Sequence, residues 1–188
     1  MMSTTGRRPR ADARRNYERL LAEADSAFRE HGVDTSLESI ARRAGVAIGT
    51  LYGHFSSRRA LVGALLRERN EALFAYGDRL VALLEGPETL SSWVNAVIEH
   101  AATYSGLADL LMNGLDDEAS ELHASCLRMT DISERLLAGA RERGVVRSDV
   151  TGVDMFTLIN AAAWVREQRS REDADRLVRF TIDGFTPR

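Results

Sequence analysis

The chain has 188 residues, a formal net charge of −3, 44% hydrophobic and 28% charged residues, and a single cysteine. This size and composition are ordinary for a soluble globular protein with a buried core, and the lone Cys126 excludes an intramolecular disulfide and suits a reducing cytosol. No apolar stretch approaches the roughly 18 residues of a membrane span, and no apolar run follows the N-terminal arginines, so we expect a cytoplasmic protein with no secretory signal and no membrane partner.

Charge is distributed unevenly along the chain. Residues 1–69 contain 13 Arg and 8 Asp or Glu, a net charge of +5, whereas residues 70–188 contain 12 Arg and 20 Asp or Glu, a net charge of −8. All 25 basic residues are arginine, which fits either the codon preference of a GC-rich genome or a need for bidentate contacts to phosphate and guanine. The basic first part is expected to meet a polyanion.

Helical periodicity organises the first 45 residues. Residues 1–12 are rich in Gly, Pro, Ser, Thr and Arg and are predicted to form a disordered basic arm. An apolar stripe at helical spacing follows and stops at Gly32: Tyr17, Leu20, Leu21, Ala24, Ala27 and Phe28. Thr35 and Glu38 have the spacing of a capping box, which predicts a second helix that ends at Gly45.

The stretch from Ala44 to Phe55 predicts a very short helix with two glycines. At 100° per residue, Ile48, Leu51, Tyr52 and Phe55 fall on one side of a helical wheel, and Gly49, Thr50, Gly53 and His54 fall on the other. Interior glycine costs a helix about 1 kcal/mol relative to alanine. The two glycines therefore need an explanation beyond local helix stability.

Long helices are predicted for the rest of the chain. After a cap at Ser56–Ser57, the predicted helices cover residues 58–85, 87–104, 106–113, 116–143, 151–168 and 171–184, with Thr151 and Ser170 as caps. No strand-like alternation is found, so the predicted class is all-α. The predicted organisation is an arm over residues 1–12, an N-terminal domain of short helices over 13–69 and a larger helical domain over 70–188.

Three short helices with a tight turn at Gly45 are typical of a helix-turn-helix. In such a motif, a glycine on the outward side lets the backbone approach the DNA major groove closely. The alternative is that Gly49 only relieves crowding against the preceding helix, and for Gly53 the two explanations are evenly balanced.

The run TSLESIARRAGVAIGTLYGHFSSRRALV resembles the DNA-binding domain of the TetR family of transcriptional regulators. The resemblance implies a dimer that binds a palindromic operator on double-stranded DNA and is released by a small molecule. It assigns DNA contacts to eight positions: Thr35, Ser36, Ala47, Gly49, Thr50, Tyr52, His54 and Arg58. Gly49 and Thr50 would lie near base edges, and Tyr52, His54 and Arg58 would reach phosphates, with Arg58 standing where the family usually has lysine.

Several of these residues have a second interpretation. Tyr52 projects inward on the wheel and is either a core residue or a ring whose hydroxyl reaches a phosphate. Arg42 and Arg43 are either a solvated face or phosphate contacts. The arginines of the arm, Arg7, Arg8 and Arg10, are either a solubilising tail or a segment that enters the minor groove.

The resemblance also places a dimer seam and a ligand pocket in the later helices. The dimer interface would include Phe156, Trp164, Leu177 and Phe180 on the last two helices, although the same residues could form a monomer core. Pocket candidates, which suit an apolar or amphipathic ligand, are Trp93, Val97, His100, Tyr104, Met112, Cys126, Met129 and Asn160. No His pair has metal-binding spacing, so neither a metal nor another cofactor is expected.

The predicted function is a ligand-responsive, sequence-specific transcriptional regulator, most simply a repressor. An enzyme is not expected, because the chain contains no phosphate loop, nucleophile elbow or paired-His motif. The alternative is a helix-turn-helix DNA binder without an effector ligand. The length of the C-terminal part, far more than dimerisation requires, favours the regulator with an effector.

Overall fold

The computed structural model describes residues 7–83, 87–112 and 121–187, and these residues form helices and turns without a strand. The all-α class is therefore confirmed. In chain order the helices are α1 (Arg7–His31), α2 (Leu37–Arg43), α3 (Ile48–His54), α4 (Arg58–Leu83), α5 (Pro87–Ala101), α6 (Leu107–Met112), α7 (Glu121–Glu142), α8 (Gly152–Gln168) and α9 (Arg171–Gly184).

Helix α1 starts earlier than the composition suggested. It begins at Arg7, so residues 7–12 are helical and not a disordered arm, while residues 1–6 lie outside the described residues. Pro9 is compatible with this start because the first-turn backbone N–H groups of a helix have no acceptor within the helix. The arginines at positions 7, 8 and 10 therefore belong to a helix.

The cap of α2 is one residue later than predicted. Ser36 is the N-cap, and its hydroxyl accepts a hydrogen bond from the Ser39 backbone N–H at 3.3 Å and donates to Glu38 at 2.7 Å. The hydroxyl of Thr35 instead donates to the Gly32 carbonyl at 2.8 Å. The predicted Thr35–Glu38 capping box is thus wrong, because Thr35 closes the preceding turn.

The later helices form the larger part of the molecule. Helix α7 packs against α4 and α8, α5 and α6 pack on α8, and α9 lies along α8. The α8 and α9 caps are as predicted: Thr151 forms a capping box with Asp154, and the Ser170 hydroxyl accepts from the Asp173 backbone N–H. These caps define where both helices begin.

Close packing of α4 against α5 and α7 depends on a glycine. A Cβ atom on Gly77 would lie 2.6 Å from Cζ3 of Trp93 and 2.7 Å from Cγ2 of Ile132. Trp93 is fully buried, and its indole N–H donates to the Ser133 hydroxyl at 2.8 Å. The helices can approach this closely only because position 77 has no side chain.

The turn between α5 and α6 lies against the N-terminal helices. Ser105 accepts a hydrogen bond at its carbonyl from the Val33 N–H at 2.8 Å, and the Tyr104 hydroxyl donates to Asp25 on α1 at 2.5 Å. On its other side, Glu167 of α8 accepts from the Ser105 hydroxyl at 2.5 Å and from the Gly106 N–H at 2.8 Å. This turn therefore connects α8 to α1 and to the turn that follows α1.

Candidate DNA-binding interface

Helix α3 is anchored on one narrow side. Leu51 is fully buried and Phe55 is 3% exposed, and both pack into the core that α1 and α4 share. The opposite side of the helix carries Gly49 and Gly53, both exposed. The helix is therefore fixed to the domain from behind, with its glycine side facing solvent.

The turn before α3 has the geometry that the motif requires. Gly45 has φ of +67°, a left-handed conformation that a residue with a Cβ rarely adopts. The N–H groups of Ala44 and Val46 on either side donate to the carbonyls of Ile40 and Ala41, so the α2 carbonyls are satisfied across the turn. This tight turn sets the orientation of α3 relative to α2.

Neither glycine of α3 is needed for packing within the chain. A Cβ built on Gly49 or Gly53 would meet no atom of the described chain within 4 Å. Crowding against the preceding helix therefore does not explain Gly49. The absence of a side chain at both positions leaves α3 free for close approach by a partner.

Tyr52 and His54 flank this bare side in different ways. Tyr52 is 49% exposed, so the interpretation of Tyr52 as a core residue is wrong. His54 is half-buried, with its ring 5.9 Å from the Tyr17 ring in an edge arrangement, while Tyr17 stacks on Phe55 at 5.1 Å. No local sequence pattern indicates that Tyr17 contacts His54, because the two residues lie 37 positions apart.

Arg58 has a structural partner that the sequence did not predict. Its Nη1 donates to the backbone carbonyls of Val33 and Thr35, which ties the start of α4 to the turn between α1 and α2. In the described part of the chain its Nε and Nη2 donate no hydrogen bond, and the Glu38 carboxylate lies close enough for its charge to interact with the guanidinium. Only that side of the guanidinium is available for a phosphate.

Arg43 is exposed, but it is paired with two carboxylates and is not a free phosphate contact. Its guanidinium lies 3.1 Å from Glu23 and 3.2 Å from Glu30, and the hydrogen bond from Arg43 lowers the Glu30 pKa below its usual value. Arg42 is exposed and makes only a 3.4 Å contact to Ser39. Of this pair, Arg42 is the one positioned to meet an external anion.

The predicted dimer residues divide between surface and interior. Phe180 is 67% exposed and Trp164 is 44% exposed, whereas Phe156 and Leu177 are half-buried. Val153, on the same side of α8, is 64% exposed. These residues form an apolar face on α8 and α9, which we name the α8–α9 face.

The predicted pocket residues gather in the interior of the C-terminal helices. The side chain of Met112 lies outside the described residues, and the remaining seven are buried: Trp93, Val97, His100, Tyr104, Cys126, Met129 and Asn160. None of these seven residues lines the groove of about 860 Å³ between α5 and α9 or the groove of about 300 Å³ between α4 and α7.

Three buried polar atoms in this interior have no hydrogen-bond partner among the described residues: Asn70 Oδ1, His100 Nε2 and Thr103 Oγ1. Burial lowers the His100 pKa to about 4, with a smaller contribution from Arg69, so the imidazole is neutral at pH 7. Sequence reasoning found His100 but missed Asn70 and Thr103, since polar residues on a helix are normally read as solvated.

The described ranges contain neither a metal site nor a membrane-spanning helix. No group of three or more His, Cys, Asp or Glu side chains there could hold a metal ion. No helix in the part of the chain that the structure describes is both long and apolar enough to traverse a bilayer. Burial raises the pKa of the Cys126 thiol to about 11.

Comparison with known families agrees with this geometry. Residues 20–65 match the model described as bacterial regulatory proteins of the tetR family, and residues 85–187 match the model described as the C-terminal domain of SbtR-like transcriptional regulators. Together the two models cover the helix-turn-helix and the C-terminal helices.

Individual proteins give the same result. The chain is 32% identical over 159 residues to the transcriptional repressor KstR2 of Rhodococcus jostii, covering 78% of this chain and 75% of that one. It is similar to the crystal structure of the TetR transcriptional regulator SCO0520 from Streptomyces coelicolor (TM-score 0.60, 32% identity, 91% and 98% of the two chains). It shares its fold with the FadR repressor of Thermus thermophilus in complex with lauroyl-CoA (TM-score 0.61, 22% identity, 92% and 96% covered). The helix-turn-helix, the all-helical fold and these matches place the chain in the TetR family of transcriptional regulators.

Proposed function

We propose that the protein is a repressor that binds a palindromic operator as a homodimer and is released from it by a small organic molecule. The observation that carries the DNA-binding part is the open glycine side of α3. Two glycines that the chain's own packing does not need, at a net cost in helix stability, are accounted for by a partner surface that comes very close.

The proposed contacts divide by chemistry. Ala47, Gly49 and Thr50 lie near base edges, and Tyr52 and His54 reach phosphates on either side of the groove. Phosphate contacts supply affinity without sequence information, whereas contacts to base edges specify the site. Tyr52 fits this role because it is half exposed and its hydroxyl has no partner within the described chain.

The residues around α2 have fewer groups available for DNA. The Ser36 hydroxyl is exposed at the start of α2 and donates to Glu38, and the Thr35 hydroxyl donates to Gly32, so either would have to exchange its partner to donate to a phosphate. Arg58 would meet a phosphate through Nε and Nη2, while its Nη1 stays on the Val33 and Thr35 carbonyls. Replacing Arg58 would therefore weaken DNA binding through both a lost charge and a loosened turn.

Dimerisation through the α8–α9 face would hold two copies of α3 at a fixed distance. Val153, Trp164 and Phe180 are large apolar side chains exposed on these two helices, and a second copy would cover them. Two recognition helices can read successive major grooves only when they are about 34–36 Å apart. The spacing of the two copies is thus the variable that a ligand would control.

An effector site among the C-terminal helices is supported by the unpartnered atoms Asn70 Oδ1, His100 Nε2 and Thr103 Oγ1. A buried polar atom without a partner costs about 1–3 kcal/mol, so a ligand that hydrogen-bonds to these atoms would gain affinity. The FadR repressor of Thermus thermophilus binds lauroyl-CoA, an amphipathic molecule, which is the class that the predicted pocket residues suit.

The turn between α5 and α6 offers a route from such a site to the DNA-binding helices. His100 lies in the last turn of α5, and Thr103 lies in the turn between α5 and α6. Ser105 of the same turn is hydrogen-bonded both to Val33 and to Glu167 of α8. A ligand would lower operator affinity only to the extent that it binds more tightly to a conformation of the protein that cannot bind the operator than to the conformation that can.

Two measurements test the proposal. A pool of randomised duplexes, incubated with the full chain at low ionic strength, should yield a palindromic sequence bound by two chains; a protein that retains no duplex would refute DNA binding. A thermal-shift screen of small organic molecules should then identify a ligand that raises the melting temperature and releases the duplex. A screen in which no stabilising compound releases DNA would favour the alternative, a DNA binder without an effector.

A further inference from the structure

The recognition helix offers almost no side chain to a base. By helical spacing, the residues opposite buried Leu51 and Phe55 are Gly49, Gly53 and Thr50, and both glycines are exposed with no atom near a Cβ position. Ala47, at the N-cap of α3, is also exposed. The groove-facing surface of this helix therefore consists of backbone, one alanine methyl group and one threonine.

The usual partners of the purine bases are missing from this surface. Guanine is most often read by Arg or Lys, and adenine by Asn or Gln, through two hydrogen bonds from one side chain. Helix α3 contains none of these four residue types, and the chain has no lysine at all. Of the two arginines on α2, Arg43 is paired with Glu23 and Glu30, and the exposed Arg42 is positioned to meet an external anion, which on DNA is a phosphate and not a base edge.

We propose that α3 recognises its operator by apolar contact with thymine methyl groups, an inference that rests on the proposed DNA-binding function. The C5 methyl group of thymine is the base-edge feature in the major groove that an apolar surface can recognise. The Ala47 methyl, the Thr50 γ-methyl and the exposed backbone of Gly49 form that surface. The glycines allow the helix to sit deep enough for such short side chains to reach the bases.

The size of the effect follows from the size of the group. Burying one methyl-sized group changes an affinity about fourfold, so removing one methyl contact from each half of a palindrome should weaken binding about 16-fold. Hydrogen bonding through the Thr50 hydroxyl would have a different signature, because it would not depend on the thymine methyl group.

The test uses the full chain and a duplex that it selects from a randomised pool. Each thymine of the half-site is replaced in turn by deoxyuridine, which removes only the methyl group, in both halves at once. At one or more positions the dissociation constant should rise about 16-fold. Replacements of thymines outside the two half-sites should leave the dissociation constant unchanged. Unchanged affinity for every uridine duplex would overturn the inference while leaving DNA binding intact.

Two variants of Thr50 identify which group makes the contact. Thr50→Val keeps the γ-methyl and should retain the sensitivity to uridine, whereas Thr50→Ser keeps the hydroxyl and should lose that sensitivity at one position. The opposite pattern, with serine behaving as wild type and valine losing site preference, would show a hydroxyl contact and overturn the inference. If no duplex is retained by the wild-type chain, the proposed function itself fails, which is a distinct result.

Discussion

Replacing Gly49 with alanine and then with leucine separates what α3 contributes to folding from what it contributes to DNA binding. Gly49 is exposed, and a Cβ there meets no atom of the described chain within 4 Å, so either side chain fits the free protein. The new residue also removes the backbone entropy cost of glycine in a helix. We therefore expect both variants to be at least as stable as the wild type.

Each substitution should raise the stability of the free protein and lower its affinity for the operator. Gly→Ala in a helix interior stabilises by about 1 kcal/mol, which raises the melting temperature of a chain of this length by about 2–4 °C. On DNA, extra atoms forced into a close contact cost about 1–3 kcal/mol, so operator affinity should fall about 5-fold to 150-fold. Leucine should lie at the upper end of that range and alanine at the lower end.

The assay is fluorescence anisotropy on a duplex selected by the wild-type protein, with urea denaturation and circular dichroism on the same samples. Ala138→Leu is the matched control, since Ala138 is an exposed helical residue on α7 and the substitution leaves α3 unchanged. It should leave operator affinity unchanged. A Gly49→Leu variant that binds the operator as tightly as the wild type would refute the close-approach argument, and so would a variant that binds weakly only because it unfolds.

Three further substitutions test the rest of the fold. Gly77→Ala should lower the free energy of unfolding by about 1–3 kcal/mol in urea, because its Cβ would lie 2.6 Å from Trp93; an unchanged midpoint would contradict this packing. Tyr104→Phe should cost about 1–2 kcal/mol by removing the hydrogen bond to Asp25, and wild-type stability would show that this contact contributes nothing. The His100 pKa is lowered from 6.5 to about 4 in the folded protein, so as the pH falls the unfolded chain takes up a proton at this residue before the folded chain does. The free energy of unfolding should therefore fall by about 2 kcal/mol from pH 7 to pH 5. His100→Gln should reduce this loss, and an equal loss in both proteins would contradict the burial of a neutral His100.

Sequence patterns predicted the later helices well where a cap defined their ends. Ser170 and Thr151 each have an acidic residue three positions on, and α9 spans residues 171–184 as predicted, while α8 starts one residue after the predicted position. The same rule failed at Thr35, because Ser36 and Thr35 are both capable caps and only the turn at Gly32 decides between them.

The candidate site was predicted in outline but not in its contacts. Helix α3 is so short that only Leu51 on it and its C-cap Phe55 are buried. Tyr52 points about 80° away from the mean direction of these two residues on the helical wheel, so it is exposed. The contacts of Arg58 with the Val33 and Thr35 carbonyls join residues 25 and 23 positions apart. No local periodicity encodes such tertiary contacts.

In the proposed complex, two copies of α3 are held at a fixed separation and enter successive major grooves. The most direct measurement compares the affinity for the selected palindrome with the affinity for the same sequence carrying five extra base pairs at its centre. About five base pairs is half a turn of B-DNA and moves the second half-site to the opposite face of the duplex. Affinity for the lengthened duplex should fall to the affinity for a single half-site. Equal affinity for both duplexes would contradict it.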